Sequence, residues 1–324
     1  MEQRRLGASG LRVSRLALGT MTWGRDTDQH EAREQLEEFV SAGGTLVDTA
    51  ATYGNGESER VLGSLLNTTV ARSDVVIATK AGISRASGER VVDVSRKALL
   101  DQLDDSLDRL DVDYVDLWQI HTWSDDAPLE ETLAALDHAI ASGRTRYVGV
   151  SNYAGWQTSW AAAHQAHTPG RAPLVSTQVE YSLVQRGIER EVQPAAAQFG
   201  LGIMPWSPLG RGVLTGKYRG GTPADSRAAS PHFADFVSAY LDERSAQIVE
   251  AVHTAAGGLG VQPLQVALAW VRDRPGVTAP VVGARTAAQL RGVLECEDLT
   301  LPDQIRAALD EVSAIPLGYP EVPR

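Results

Sequence analysis

The most constraining feature of this sequence is a repeat of short apolar runs, each ending in a polar or otherwise special residue. Residues 16–18 lead to Gly19-Thr20, 46–47 to Asp48, 75–78 to Thr79-Lys80, and 114–120 to His121. Residues 147–150 lead to Ser151-Asn152, 175–177 to Gln178, 203–205 to Trp206, and 280–282 to Gly283. The runs are continuous rather than alternating, which predicts strands buried on both faces, as in a parallel sheet. Helical patterns lie between them. Thr27 or Asp28 caps one with Ala32, Leu36, Phe39 and Val40 on its apolar face, ended by Gly43-Gly44. Ser95 caps another carrying Leu100, Leu103, Leu107 and Leu110, and residues 129–141 and 264–271 read similarly.

Strand and helix alternate at about 30 residues per unit, the signature of βα units. Eight units close most simply into one (β/α)8 barrel, predicted as a single domain over residues 1–324. The rival is an open, doubly wound sheet, which usually carries a glycine-rich fingerprint after its first strand. Gly19-Thr20-Met21-Thr22-Trp23-Gly24 lacks it. Two departures from the repeat stand out. Residues 6–13, turning at Gly7-Ala8-Ser9-Gly10, predict an N-terminal hairpin that plugs the barrel's bottom. The step from Trp206 to Gly283 is 77 positions, more than twice the usual step, which predicts a long inserted loop before the last helix and strand. Long loops at the C-terminal face of a barrel commonly fold over the site.

Composition excludes several functions. Thirty Lys and Arg against 41 Asp and Glu leave a net charge of −11, which disfavours nucleic-acid and anionic-membrane partners. An anionic ligand must therefore be caught by a few local cations. The lone Cys296 excludes an internal disulfide framework and any zinc site with two or more thiolates. No apolar run approaches the roughly 18 residues of a membrane span, and the start of the chain lacks the apolar stretch of a signal peptide. A soluble, reducing, cytoplasmic setting is the expectation.

In a barrel the C-terminal ends of the strands converge on one mouth. That makes Asp48, Lys80, His121, Ser151, Asn152, Gln178, Trp206 and Gly283 a candidate active site, joined by Tyr53 from the loop after the second strand. Alone, Asp48 reads as a strand-end cap, Lys80 as a surface lysine and His121 as a core histidine. Together at successive strand ends they read as chemistry. Lys80 is also one of only three lysines in an arginine-rich chain. A buried ammonium beside a phenol is expected to lower the tyrosine pKa from about 10, while a carboxylate keeps the lysine charged. Tyr53 then moves a proton and His121 orients the reacting oxygen, which equips the site for carbonyl–alcohol interconversion. Hydride must come from a cofactor. Other signals fail. The stretch from Gly210 to Lys217 is one residue too long for a phosphate loop, and Tyr218 replaces its Ser or Thr. His164 and His167 have no third ligand nearby in sequence, so no metal is expected.

The residues resemble the aldo-keto reductase superfamily over nearly the whole chain, in the bacterial branch related to potassium-channel β subunits. The resemblance runs through residues 6–14, Leu18-Gly19-Thr20, Asp48-Thr49-Ala50 with Tyr53-Gly54, Thr79-Lys80 and His121. It continues in Gly149-Val150-Ser151-Asn152-Tyr153, residues 205–212, and Val282-Gly283-Ala284-Arg285. It implies NADPH-dependent reduction of a small-molecule carbonyl, with Tyr53 as general acid, Lys80 and Asp48 tuning it, and His121 orienting the carbonyl. Ser151, Asn152 and Gln178 would hold the nicotinamide carboxamide, and Trp206 would stack on the ring. Ser207, Leu209, Arg211 and Lys217 match positions along the pyrophosphate, Arg227 matches a cofactor-contacting arginine of that branch, and Gly19, Thr20, Met21, Asp48, Pro208 and Gly210 also belong to the cofactor set. Gly283, Arg285 and Gln289 would surround the 2′-phosphate, Arg285 being the physical reason to expect NADPH. Gly292 and Val293 stand where many relatives have Glu and Asn, so adenine would be held more loosely. Trp23 and Trp123 would wall a large aromatic substrate pocket with Tyr53 and His121. The same resemblance also allows a nicotinamide-binding regulatory subunit of slow or no turnover.

Overall fold

The computed structural model describes residues 1–223, 226–229 and 234–319, with Arg227 described by its backbone alone. In chain order the strands are β1 (Gln3–Arg5), β2 (Arg12–Ser14), β3 (Ala17–Gly19), β4 (Leu46–Asp48), β5 (Val76–Ala81), β6 (Ile83–Ser84) and β7 (Val91–Val92). There follow β8 (Val115–Ile120), β9 (Thr145–Ser151), β10 (Leu174–Glu180), β11 (Gly202–Trp206) and β12 (Val281–Val282). The helices are α1 (Gln29–Ser41), α2 (Glu57–Leu65), α3 (Arg96–Leu110), α4 (Leu129–Ala141), α5 (Gly155–His167) and α6 (Val192–Phe199). After β11 come α7 (Ala234–Ser238), α8 (Glu243–Leu259) and α9 (Pro263–Arg272), and after β12 come α10 (Ala287–Leu294) and α11 (Asp303–Val312).

Eight strands form one parallel sheet in the order β11-β10-β9-β8-β5-β4-β3-β12, each at one of the eight apolar runs. The ring closes beside β12 rather than through it. Ile203 of β11 pairs with Val277, donating its N–H to Gly276 O at 2.9 Å and accepting from Thr278 N at 2.8 Å. The result is the (β/α)8 architecture the repeat predicts. Helix starts follow the capping signals: Asp28 accepts from Glu31 N at 2.9 Å, and Ser95 accepts from Ala98 N.

The bottom of the barrel is stopped by the N-terminal hairpin, β1–β2. Leu6 and Val13 are fully buried against a layer drawn from nearly every strand: Ala17, Leu46, Ala78, Leu117, Val175 and Met204. Small alanines sit beside bulkier neighbours there, as in the packed side-chain layers of a barrel interior. At the turn, Gly7 has φ +59°, and a Cβ would meet Gly200 O at 2.3 Å.

The interval after β11 carries more structure than a loop. Asp242 caps the 17-residue α8 through Ser245 N at 2.7 Å, and Ile248, Val249, Val252 and Ala256 bury its inner face. Gly257 and Gly258 weaken the helical signal in sequence, but the buried stripe outweighs their propensity cost of about 1 kcal/mol each.

Candidate active site

Strand alternation determines which side chains reach the barrel's mouth. Asp48 ends β4 and Lys80 lies near the end of β5, both essentially fully buried. Lys80 Nζ donates to Asp48 Oδ2 at 2.7 Å and to Thr49 O at 2.8 Å, and lies 3.5 Å from Tyr53 Oη. All three ammonium hydrogens therefore have a partner. Because the third points at a phenol lone pair, the phenol's own proton is not engaged by Lys80. The second oxygen of Asp48 accepts from Gln178 Nε2 at 2.8 Å, so the carboxylate is locked from two sides.

The electrostatics correct one expectation. The Tyr53 pKa is raised above 10, not lowered: burial penalises the phenolate more than Lys80 favours it, and Asp48 adds repulsion. Burial pulls the Lys80 pKa down, but Asp48 and Tyr53 outweigh it, and the lysine stays charged. His121 lies well below 6.5, first through burial and then through Lys80 and Arg90. Its neutral ring stands edge-on to Tyr53, centroids 6.0 Å apart, and its buried Nδ1 has no partner among the described residues.

A cavity of about 620 Å³ opens beside this group, its lining including Tyr53, His121, Arg285 and Gln289. Near its catalytic end lie Gly19, Met21, Ser151, Asn152, Gln178 and Trp206. Their side chains are fixed by one another: Ser151 Oγ donates to Gln178 O at 2.8 Å, Asn152 Nδ2 to His121 O at 2.9 Å, and Trp206 Nε1 to Asn152 Oδ1 at 2.9 Å. The same lining includes Ser207, Pro208, Leu209, Arg211 and Lys217, and also Gly283, Arg285, Gln289, Gly292 and Val293, with Gly283 packed close to Gly19. Ser207, Gly210, Arg211 and Gly212 all have positive φ, so the backbone coils tightly along one wall. A Cβ on Gly212 would lie 3.2 Å from Lys217 Nζ; glycine leaves that ammonium its place. Lys217 and Arg285 on the lining of this cavity, in a chain of net charge −11, suit an anionic ligand, and the unpartnered His121 Nδ1 suits a polar group beside Tyr53.

Other expected site residues lie elsewhere. Thr20 and Gly210 sit behind the cavity wall: Thr20 is buried and bonded to Ser58, and Gly210 packs on Val184. Trp23 does not line the cavity. It is fully buried with its indole N–H bonded to Gln35 at 3.1 Å, because the turn after β3 directs it into the α1 packing. Trp123 also stays off the lining. It packs edge-on against Tyr153 and joins Trp156 and Trp160, which are 56% and 46% exposed, in an aromatic cluster on α5. The Arg227 side chain lies outside the described residues. Arg211 lines the cavity, yet its guanidinium pairs with Glu180 at 2.8 and 2.6 Å and bonds the carbonyl of Phe236.

Phe236 was not legible in the sequence. It comes from α7, stacks near-parallel to Trp206 with centroids 6.3 Å apart, and lines the cavity. Only the excess length of the interval after β11 pointed to a covering segment. Thr22, Thr215 and Ala288 join the lining with no sequence signal of their own.

A sequence profile of the aldo/keto reductase family matches residues 15–314. The chain belongs to the aldo/keto reductase family. Among its relatives, a probable voltage-gated potassium channel subunit beta of Oryza sativa subsp. japonica is 35% identical over 99% of this chain and 98% of its own. The uncharacterized oxidoreductase YrpG of Bacillus subtilis (strain 168) is 35% identical over 98% of each chain. The L-glyceraldehyde 3-phosphate reductase of Escherichia coli (strain K12) is 32% identical over 96% of this chain and 92% of that protein. Membership supports oxidoreduction of the aldo/keto reductase type. Among the described residues no helix is long and apolar enough to cross a membrane, and no cluster of three or more metal-ligating side chains occurs.

Proposed function

We propose that this aldo/keto reductase reduces aldehydes or ketones to alcohols with NADPH. The observation that carries the reading is the Asp48–Lys80–Tyr53 chain at the head of the cleft, with its ammonium donating into the phenol oxygen. When bound, NADPH supplies the hydride. Ser151, Asn152, Gln178 and Trp206 are the residues that would hold its nicotinamide end, and Lys217, Arg285 and Gln289 its phosphate-bearing end. Gln178 keeps its amide oxygen available because Asp48 engages only its nitrogen.

The chain's own groups manage the proton. Tyr53 stays protonated at neutral pH because its pKa is raised, so the donor is always loaded. As negative charge develops on the substrate oxygen, the Tyr53 proton transfers to it, and the phenolate left behind faces an ammonium already in place. His121, neutral and with one nitrogen unpartnered, is suited to orient the carbonyl without competing for the proton. Arg285 supports NADPH over NADH, since a guanidinium pairs well with a phosphate dianion.

Steady-state turnover on a carbonyl panel with NADPH tests the reading, with Tyr53→Phe as control. That variant should lose about 10²–10⁴-fold in reduction while still quenching its tryptophan fluorescence on NADPH binding. Undiminished reduction by Tyr53→Phe would overturn it. A nicotinamide-binding regulatory subunit is the second reading, favoured by the likeness to the rice channel subunit. It requires tight NADPH binding with negligible turnover across the same panel.

A further inference from the structure

Behind the catalytic group lies a buried polar network that the reduction chemistry leaves unused. Thr20 and Thr49 directly follow the last residues of β3 and β4, Gly19 and Asp48, Thr79 precedes Lys80 on the adjacent β5, and all three threonines are fully buried. Alternation turns Thr79 away from the cavity that Lys80 serves, toward the first turn of α2. Two consecutive residues of that turn receive all three threonines. Ser58 Oγ lies 2.6 Å from Thr20 Oγ1 and 3.0 Å from Thr49 Oγ1, and donates to Thr20 O at 2.8 Å. Thr20 Oγ1 also lies 3.2 Å from Asp48 O, so Ser58 Oγ is enclosed by one carbonyl and two hydroxyls of a shared hydrogen-bond network. Glu59 accepts from Thr79 Oγ1 at 2.6 Å with one oxygen and from Arg109 Nε at 2.7 Å with the other.

The same turn controls Tyr53, which reaches α2 through only the short turn Tyr53–Gly56. Gly56 has φ +93°, and a Cβ there would meet Arg109 Cδ at 2.6 Å, so the turn rests directly on the arginine that Glu59 holds. Thr49 closes the circuit. Its hydroxyl is held by Ser58 while its carbonyl takes one of the three Lys80 ammonium hydrogens.

We propose that Ser58 and Glu59 are positioning residues that set the separation of Lys80 from Tyr53, holding both against one turn of α2 through Thr49, Thr79 and Arg109. The proposal rests on the reductase reading for its kinetic consequence. Tyr53 faces three titratable groups, Lys80, Asp48 and His121, and of these only Lys80 favours its phenolate by contact. Loosening the network moves Lys80 away, so the Tyr53 pKa rises further and the phenolate left by proton transfer is less well stabilised. A misplacement of about 1 Å is enough to cost about 10²-fold in rate.

The test uses Thr79→Val, which removes the hydroxyl at nearly constant volume and leaves the Glu59–Arg109 pair intact, with Ser58→Ala and Thr79→Ser beside it. Reduction of para-nitrobenzaldehyde with NADPH is followed against pH, and each melting temperature is measured. We expect kcat to fall about 10–100-fold in Thr79→Val and Ser58→Ala, with NADPH affinity within about twofold of wild type. The alkaline limb should move to higher pH, and Thr79→Ser should restore both. Folded variants with unchanged kcat and an unmoved limb would overturn the proposal. So would a loss of kcat that merely follows the unfolded fraction. If wild type reduces no carbonyl, the reductase reading fails alone. Positioning is then read from crystal structures of wild type and Thr79→Val, where the 3.5 Å Lys80–Tyr53 separation should lengthen by about 0.5 Å or more. An unchanged separation would overturn it.

Discussion

Replacing Lys80 with Met should separate the stability of the site from its chemistry. The ammonium and Asp48 are buried and 2.7 Å apart, for which Coulomb's law with an effective dielectric of about 20 gives roughly 6 kcal/mol of attraction. Desolvation of both ions consumes much of that gain, so the pair itself stabilises the fold little. Breaking it is another matter. Lys80→Met leaves the Asp48 carboxylate buried with only the Gln178 amide donor, and such an orphaned charge costs about 3–5 kcal/mol. Asp48→Asn in the Lys80→Met background removes the orphaned charge and should return most of that loss. Turnover behaves differently. Both the single and the double variant lack the ammonium that stabilises the Tyr53 phenolate, so both should reduce carbonyls at least about 10²-fold more slowly. Urea denaturation midpoints and steady-state kcat, measured on the same preparations, make the comparison. A Lys80→Met protein as stable as wild type would refute the orphaned-charge argument, and recovery of turnover in the double variant would refute the role given to the ammonium.

Three further outcomes follow from the geometry. Reduction should hold a plateau through neutral pH and fall only as pH climbs through the raised Tyr53 pKa, above 10; because His121 titrates well below 6.5, no limb should appear near that value in a pH–rate profile. Arg285→Ala should weaken NADPH by about 10–100-fold and NADH far less, the equivalent of losing charge-assisted hydrogen bonds of about 1.5–3 kcal/mol, as read by fluorescence titration. Gly7→Ala should lower stability by about 1–3 kcal/mol without changing kcat of the folded fraction, because its Cβ would strike Gly200 O while the cavity lies at the opposite end of the barrel.

What could be read from the sequence was what backbone periodicity controls. The eight strands stand at the eight apolar runs, and Asp48, Lys80, His121 and Gln178 converge because a barrel brings strand ends together whatever their side chains do. What escaped depends on the direction of a side chain within an irregular turn. Trp23 and Trp123 sit one residue from Gly24 and two from His121, yet one turns into the core beside Gln35 and the other onto α5. The Tyr53 pKa shows the same limit in energetic form. Its neighbours were legible, but the sign of its shift is decided by how completely the ring is buried, which no spacing records.

Glu59 carries that argument furthest. In sequence it is an ordinary acid in the first turn of a helix, a position the helix dipole favours at any exposed site. Its partners lie 20 and 50 residues away, at Thr79 and Arg109, and only folding brings them to its two oxygens. A buried carboxylate is costly unless both oxygens are satisfied. Thr79 and Arg109 are therefore as necessary to Glu59 as it is to them, and the geometry of Lys80 is inherited from a set of contacts that never reach the cavity. Substitutions at residues far from the mouth should accordingly alter proton transfer, while changes among the exposed rings of Trp156 and Trp160 leave it untouched.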